Sequence, residues 1–208
     1  MSGKNFFIPT SRIEAFSDGV FAIVITLLAF QFKIPKLTHD STLYQNYREL
    51  LVILPNFMAF IFSFLFVAVF WITHHQLYYS IKEANEKLLW YNVHVLFWIT
   101  LIPFPISMVG DHPLLRISAI SLGIVLLMCC LAAYLVRNYT YFRANLVDQT
   151  LSSASVKDGM RKNILAIILN VIAIGASLIS VYIAYGIYVI VLGLFIIPQK
   201  LEKKRTQN

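Results

Sequence analysis

One carboxylate and two imidazoles stand out in the long apolar stretches of this chain. Asp18, His74 and His94 each lie inside a different apolar stretch. Ionisable groups are costly in an apolar medium and often mark a site of function there. Neither a His-Glu-x-x-His motif nor a paired carboxylate accompanies them, and hydrolytic metal sites need such partners. We therefore expect a hydrogen-bonded polar layer, with no metal site and no cofactor, and predict that the chain is not an enzyme.

The composition identifies the apolar medium. Hydrophobic residues make up 59% of the 208 residues and charged residues only 13%, with a mean hydropathy of +0.72. A soluble domain carries about 25% charged residues, so a soluble enzyme and a disordered chain are both excluded. Cys129 and Cys130 are adjacent and cannot join distant segments. The sequence predicts an all-α integral membrane protein.

The apolar stretches can be divided into spans, because a helix needs about 20 apolar residues to cross the hydrocarbon core. Pro103 and Pro105 interrupt the third stretch, and a turn near Ala184–Gly186 divides the last one, which is too long for one crossing. The chain is predicted to be a single domain over residues 1–208 with six transmembrane helices, at about 13–32, 50–81, 88–109, 115–136, 163–182 and 185–198.

The distribution of Lys and Arg predicts the orientation. With a cytoplasmic N-terminus, 13 of the 17 Lys and Arg residues lie on the cytoplasmic side, and Lys33, Lys36, Arg48 and Arg116 lie outside. Positive charge accumulates on the cytoplasmic side of membrane proteins. We therefore expect a multi-pass protein of the plasma membrane with both termini in the cytoplasm. The net charge of +7 is explained by this topology and does not indicate binding to nucleic acid.

The three ionisable residues are predicted to lie at one depth. Asp18 lies about 9 Å inward from Arg12, at about 1.5 Å per helical residue. His74 precedes the cytoplasmic end of the second span, and His94 follows the start of the third. Further polar and aromatic residues lie within a turn of that level, namely Trp71, His75, Asn92 and Trp98. We expect these residues to form a hydrogen-bonded layer near the cytoplasmic side.

The first span carries an apolar stripe. At about 100° per residue one face holds Arg12, Phe16, Gly19, Ile23, Leu27 and Phe30, with Thr26 at its edge. Asp18 lies on a different face and is expected to point into the subunit, toward His74, His75, His94 or backbone donors. The stripe itself could meet lipid, another span or a symmetry copy of itself.

These residues carry a resemblance to a known family. Arg12-Ile13-Glu14-Ala15-Phe16-Ser17-Asp18 reads Arg-x-x-x-Phe-Ser-Asp at the start of a first transmembrane helix, and Trp71-Ile72-Thr73-His74 supplies a Trp-x-x-His in the second. This pattern resembles the transmembrane protein 175 family, the lysosomal and prokaryotic potassium channels. Animal members carry two six-span repeats. The single copy here therefore implies a homotetramer of the prokaryotic type.

The resemblance also implies where the ion path lies. The first helices of four subunits would line a central pore, with a hydrophobic constriction at Ile23, a threonine at Thr26 and further layers at Leu27 and Phe30. Phe30 is bulkier than the aliphatic residue expected there. No Thr-Val-Gly-Tyr-Gly filter and no acidic ring is present, so we expect the pore to close by dewetting.

The expected function is a potassium-permeable cation channel whose partners are K⁺ and other monovalent cations, further copies of itself and membrane lipids. Arg12, Ser17 and Asp18 are expected to hold the first span against the second and third through Trp71, His74 and Asn92. Alternatively, Asp18 attracts cations in a vestibule. A secondary transporter and a non-conducting structural subunit remain alternatives for the whole chain.

Overall fold

The chain folds into helices throughout the part that is described. The computed structural model describes residues 9–31, 42–81, 83–144, 146–147 and 153–196. These ranges contain seven α-helices and one π-helical turn, Tyr139–Arg143; the helices are α1 (Thr10–Ala29), α2 (Leu43–Tyr79), α3 (Glu86–Thr100), α4 (Pro103–Asp111), α5 (Arg116–Asn138), α6 (Ser153–Ser177) and α7 (Val181–Ile196). The predicted all-α class is confirmed. The predicted ends of the first and last spans, at Phe32 and 197–198, and both termini lie outside the described residues.

The longest helix, α2, begins earlier than the sequence predicted. It starts at Leu43 and not near Leu50, because Thr42 and Gln45 form a capping box. The Gln45 side chain accepts a hydrogen bond from the Thr42 backbone N–H at 2.8 Å. Pro55 lies inside the helix without ending it. With 37 residues α2 is about 55 Å long and extends beyond a hydrocarbon core of about 30 Å.

The proline interruption of the third apolar stretch is located between α3 and α4. The helix α3 ends at Thr100, and α4 begins at Pro103. Proline suits this first helical position, since it lacks the N–H that would have no partner there. At the other end of α3, Asn85 caps the helix by accepting a hydrogen bond from the Leu88 N–H at 2.9 Å. The α3–α4 pair therefore forms one broken helix over Glu86–Asp111.

The last two helices turn at a different place from the one predicted. The turn lies at Leu178–Ser180, while Ala184–Gly186 lies inside α7. The Ser180 N–H donates to the Ala176 carbonyl at 2.8 Å and so closes the end of α6. Gly186 therefore does not mark the turn. It lies within a helix, and a Cβ atom at this position would meet nothing within 4 Å.

Four segments of the described chain are long and apolar enough to cross a membrane, namely Leu43–Tyr79, Glu86–Asp111, Arg116–Arg143 and Ser155–Ser177. The apolar helix α7 is shorter, at 16 residues. The helix α1 is not among the four, and Arg12, Glu14 and Asp18 all lie in its first half. These segments support a multi-pass integral membrane protein.

The helices form two packed groups that share α5. The helix α1 contacts α2, α3 and α4, whereas α6 and α7 pack on α5. A close approach between α5 and α7 occurs at Gly123, where a Cβ atom would meet the Tyr188 hydroxyl. Tyr188 is fully buried, and its hydroxyl donates to the Ala119 carbonyl at 2.9 Å. The group around α1 contains the residues of the predicted stripe and of the predicted polar layer.

Candidate pore-lining helix and polar network

The helix α1 has one closed face and one open face. The closed face packs against α2, α3 and α4 and consists of Ile13, Ser17, Phe21, Val24 and Leu28. On the open face the side chains of the predicted stripe are exposed, by 58% at Phe16, 60% at Ile23, 46% at Leu27 and 84% at Phe30. The stripe therefore has no cover within the described part of the subunit.

Thr26 lies on the open face with its hydroxyl in a defined orientation. Its Oγ1 donates a hydrogen bond to the carbonyl of Ile23 at 2.8 Å. Because the proton is engaged by the helix backbone, the oxygen keeps its lone pairs for an external donor or cation. Apolar side chains surround it on the same face.

Behind the open face, three helices are joined by a buried polar network. The Asn92 amide nitrogen of α3 donates to Ser17 Oγ of α1 at 3.0 Å, and Ser17 Oγ donates to the Ile13 carbonyl at 2.8 Å. Asn92 Oδ1 lies 2.7 Å from His74 Nε2 of α2. An amide oxygen can only accept, so the His74 ring carries its proton on Nε2. Asn92 thus connects α1 to α2.

Aromatic contacts hold the His74 ring in place. It stacks on Tyr78 with ring centroids 4.4 Å apart, and Phe21 of α1 meets it edge-on at 5.6 Å. His74 is 8% exposed and Asn92 and Ser17 are fully buried. Each polar atom of this network is therefore shielded from water and depends on its neighbours for a partner.

Asp18 bonds Trp71 of α2, which is one of the partners expected for the first span. Its Oδ1 accepts a hydrogen bond from Trp71 Nε1 at 2.7 Å. Among the described residues, no hydrogen bond joins Asp18 to His74 or His94. The carboxylate lies on the exposed side of α1, and Trp71 is 40% exposed. His75 stacks on the Trp71 ring at 6.1 Å. The expectation that Asp18 points toward His74 is thus wrong, because α1 turns this position toward Trp71 at the edge of α2.

His94, which was expected in the polar layer, and Arg12, which was expected to help hold the first span, both lie away from the Asn92 network. His94 is half-buried and packs edge-on against Trp98, with ring centroids 6.4 Å apart. It lies two residues after Asn92, about 200° further around α3, and so faces away from α1. Arg12 is exposed at the start of the open face, where its backbone N–H bonds the Pro9 carbonyl. Within the described residues neither side chain joins the Asn92 network.

The sequence reasoning missed a buried arginine. Arg137 directly follows the predicted span 115–136 and is one of the 13 Lys and Arg residues counted as cytoplasmic, but it is 4% exposed and donates to the Thr73 carbonyl of α2 at 3.3 Å. The available signal was its position at the end of α5, directly after the apolar Leu135 and Val136. No group of three or more metal-ligating side chains occurs in the part of the chain that is described.

Known proteins are similar to this chain in sequence and in fold. A sequence model of the family described as "Endosomal/lysosomal potassium channel TMEM175" matches residues 12–103. A protein of Chryseobacterium sp. (strain P1-3), named as a potassium channel, is 33% identical over 201 residues, which are 95% of this chain and 98% of that protein. The chain belongs to the TMEM175 family. Every pore and network residue predicted above lies within the matched segment 12–103.

Other TMEM175 relatives are similar to this chain over most of its length. A protein of Chamaesiphon minutus, also named as a potassium channel, is 32% identical over 188 residues, 86% of this chain and 89% of that protein. The crystal structure of a lysosomal potassium-selective channel TMEM175 homolog from the same organism superposes with a TM-score of 0.78 at 25% identity, covering 92% of this chain and 98% of that chain. The family expected from the Arg-x-x-x-Phe-Ser-Asp motif is confirmed. Since TMEM175 proteins are ion channels, the prediction that the chain is not an enzyme is confirmed too.

Proposed function

We propose that this protein is a potassium-permeable channel that conducts monovalent cations passively along the open face of α1. The observation that carries the proposal is the exposed apolar stripe of Phe16, Ile23, Leu27 and Phe30, on a helix whose other face is closed. An apolar face left uncovered within the subunit is open to lipid or to copies of itself. Because the family consists of potassium channels, we assign this face to a pore formed with symmetry copies of α1.

The proposed assembly is a homotetramer with six spans per subunit. The six spans are α1, α2, the α3–α4 pair, α5, α6 and α7. One copy of α1 cannot enclose an ion path, whereas four copies around an axis bring their open faces together. The helix α1 lies at one side of the subunit and α6 and α7 at another, which suits α1 for the centre of such a ring.

The proposed gate is a ring of four Ile23 side chains, with a second ring of Leu27 one turn further along. A narrow apolar ring excludes an ion because the ion loses its hydration water and gains no replacement ligands. Thr26 presents hydroxyl oxygens between these rings, and they supply the modest preference among cations. Four Phe30 side chains form a further ring at the outer end of the proposed pore.

The proposed role of the polar network is to fix the angle of α1. Ser17, Asn92 and His74 hold the closed face, and the Asp18–Trp71 pair holds the edge of the open face. Arg12 and Phe16 begin the stripe at its cytoplasmic end. The exposure of the Asp18 carboxylate keeps a second role open, the attraction of cations into a vestibule. Both termini are proposed to lie in the cytoplasm and the channel in the plasma membrane.

The test is a reversal potential measured with the purified protein in a planar bilayer under opposed K⁺ and Na⁺ gradients. The proposal predicts unitary currents and a reversal potential displaced toward the K⁺ equilibrium potential. A slow saturable flux without unitary currents would instead identify a secondary transporter. The absence of any flux from assembled protein would identify a non-conducting subunit.

A further inference from the structure

A cavity lies on the opposite side of α3 from the polar network. It has a volume of about 750 Å³ and is open to the surroundings between the first half of α3 and the end of α5. The π-helical turn forms part of its wall through Tyr139 and Arg143. Such turns are frequent at functional sites. The proposed ion path along α1 does not use this cavity.

The charges at the cavity are all of one sign. Lys87 at the start of α3 and Arg143 at the end of the π turn are both exposed and line the same opening. The described residues that line the cavity include no aspartate and no glutamate. Two cations at one opening repel each other unless an anion lies between them, so the opening favours an anionic group.

Aromatic residues form the wall below the charges. Trp90 is 67% exposed, and the rings of Tyr91 and Tyr139 lie 4.9 Å apart. The amide of Asn85 fixes the Tyr139 hydroxyl, with Nδ2 donating to it at 2.8 Å. Exposed tryptophan and tyrosine are typical of the level where lipid headgroups meet the hydrocarbon. The wall therefore suits a molecule that is polar at one end and apolar at the other.

The depth of the lining residues matches the shape of a phospholipid. In the proposed orientation α3 begins and α5 ends at the cytoplasmic surface, so Lys87 and Arg143 lie at headgroup level. Leu135 and His94, which line the other end of the cavity, lie about 10 Å deeper along their helices. A phosphate at the charged end would leave an acyl chain beside Leu135 and Trp90.

We propose that this cavity binds an anionic phospholipid of the cytoplasmic leaflet, with its phosphate between Lys87 and Arg143 and its glycerol and first acyl carbons against Trp90 and Tyr91. Basic pockets between membrane helices on the cytoplasmic side are suited to anionic headgroups. The proposal depends on the proposed orientation of the chain and not on ion conduction.

The experiment compares lipid retention by the purified channel in native mass spectrometry, using phosphatidylglycerol and phosphatidylcholine of identical acyl chains. The unaltered protein is expected to retain phosphatidylglycerol preferentially. The double variant Lys87→Gln/Arg143→Gln should lose that preference by about 25-fold, since each cation near an anionic lipid contributes about fivefold. The control Lys157→Gln/Arg161→Gln removes two exposed cations of α6 and should retain it.

Three outcomes would overturn the proposal: unchanged retention by the Lys87/Arg143 variant, equal loss in the α6 control, or complete displacement of the lipid by soluble glycerophosphate. The last outcome would identify a site for free phosphate. The experiment does not measure ion flux. A negative result therefore leaves the channel proposal intact, and a failure of the channel proposal leaves the lipid proposal intact.

A second measurement needs no change of charge. Quenching of Trp90 fluorescence, obtained by subtracting the signal of Trp90→Phe, is expected to be stronger with brominated phosphatidylglycerol than with brominated phosphatidylcholine. Equal quenching by the two lipids would contradict the proposal. Absence of quenching by both would mean that a neighbouring subunit covers the cavity, which also contradicts it.

Discussion

The two faces of α1 differ in what their residues contact. On the closed face Ser17 is fully buried and bonds Asn92 of α3, while Phe21 packs against the His74 ring of α2. On the open face the Ile23 side chain is 60% exposed. Ser17 and Asp18 are neighbours in the sequence, yet one belongs to the buried network and the other to the open side.

This difference separates two kinds of effect. Substitutions on the closed face remove partners inside the subunit and should change stability, while the flux per assembled channel stays the same. Substitutions on the open face leave the subunit intact and should change flux or selectivity. Each prediction below tests one side of this separation.

The largest loss of stability is expected for Asn92→Leu. The change removes the acceptor of His74 Nε2 and leaves that group buried without a partner, while Ser17 keeps its bond to the Ile13 carbonyl. The free energy of unfolding should fall by about 1–3 kcal/mol, measured by denaturation in detergent. The control is Asn170→Leu, because Asn170 is also buried but donates chiefly to the Ala166 carbonyl of its own helix, with one longer bond to Cys130 Sγ of α5 at 3.7 Å. Equal losses in both variants would refute a special role for the Asn92 network.

The packing of helices inside the subunit can also be tested away from α1, at the contact between α5 and α7. A methyl group added by Gly123→Ala would meet the Tyr188 hydroxyl and approach Ile174 Cγ1 to 2.6 Å. Tyr188 is held by its bond to Ala119, so overpacking should cost about 1–3 kcal/mol. Gly186→Ala meets nothing within 4 Å and should be neutral or stabilising by up to about 1 kcal/mol. Thermal unfolding of the two variants checks this, and a stable Gly123→Ala protein would count against tight α5–α7 packing.

A smaller effect is expected at the Asp18–Trp71 pair, which lies at the boundary of the two faces. Asp18→Asn keeps an oxygen that can accept from Trp71 Nε1 but removes the charge, which weakens the hydrogen bond. Because the pair is open to water, stability should fall by no more than about 1 kcal/mol. If conductance falls while stability and assembly remain normal, Asp18 acts as a vestibule charge and not as a support for α1.

The smallest change in stability is expected for Thr26→Val, within about 0.5 kcal/mol. The substitution keeps the volume and removes the hydroxyl that faces the proposed pore. The reversal potential under K⁺ and Na⁺ gradients should move toward zero without an increase in resting flux. Thr100→Val is the matched control, since Thr100 is exposed on α3 and its hydroxyl donates to the Phe97 carbonyl at 2.7 Å. An equal shift in that control would remove Thr26 from the selectivity argument.

The sequence predicted the helices and the stripe of α1 because both depend on local periodicity. It also placed His74 and Asn92 at one depth, which residue counting along helices can do. It named Trp71 among the partners of the first span, but it could not predict that Asp18 would bond Trp71 at the exposed edge in place of His74, or that His94 would face away from α1. Those outcomes depend on how α2 and α3 are rotated about their own axes.

The buried Arg137 shows a second limit of sequence reasoning. Its charge suggested a solvated connection, whereas tertiary packing placed it against the Thr73 carbonyl of α2. The turn between α6 and α7 was misplaced for a similar reason. The turn was predicted near Ala184–Gly186, although the backbone hydrogen bond of Ser180 to Ala176 closes α6 earlier.

The central claim is that the open face of α1 lines the ion path, and Ile23→Asn tests it most directly. The measurement is resting K⁺ and Na⁺ flux in proteoliposomes, divided by the amount of assembled protein. Ile172→Asn on α6 is the control, because Ile172 is 51% exposed on a helix remote from α1. The account predicts higher flux and weaker K⁺ over Na⁺ discrimination for Ile23→Asn alone. Unchanged flux per assembled channel in Ile23→Asn would contradict it.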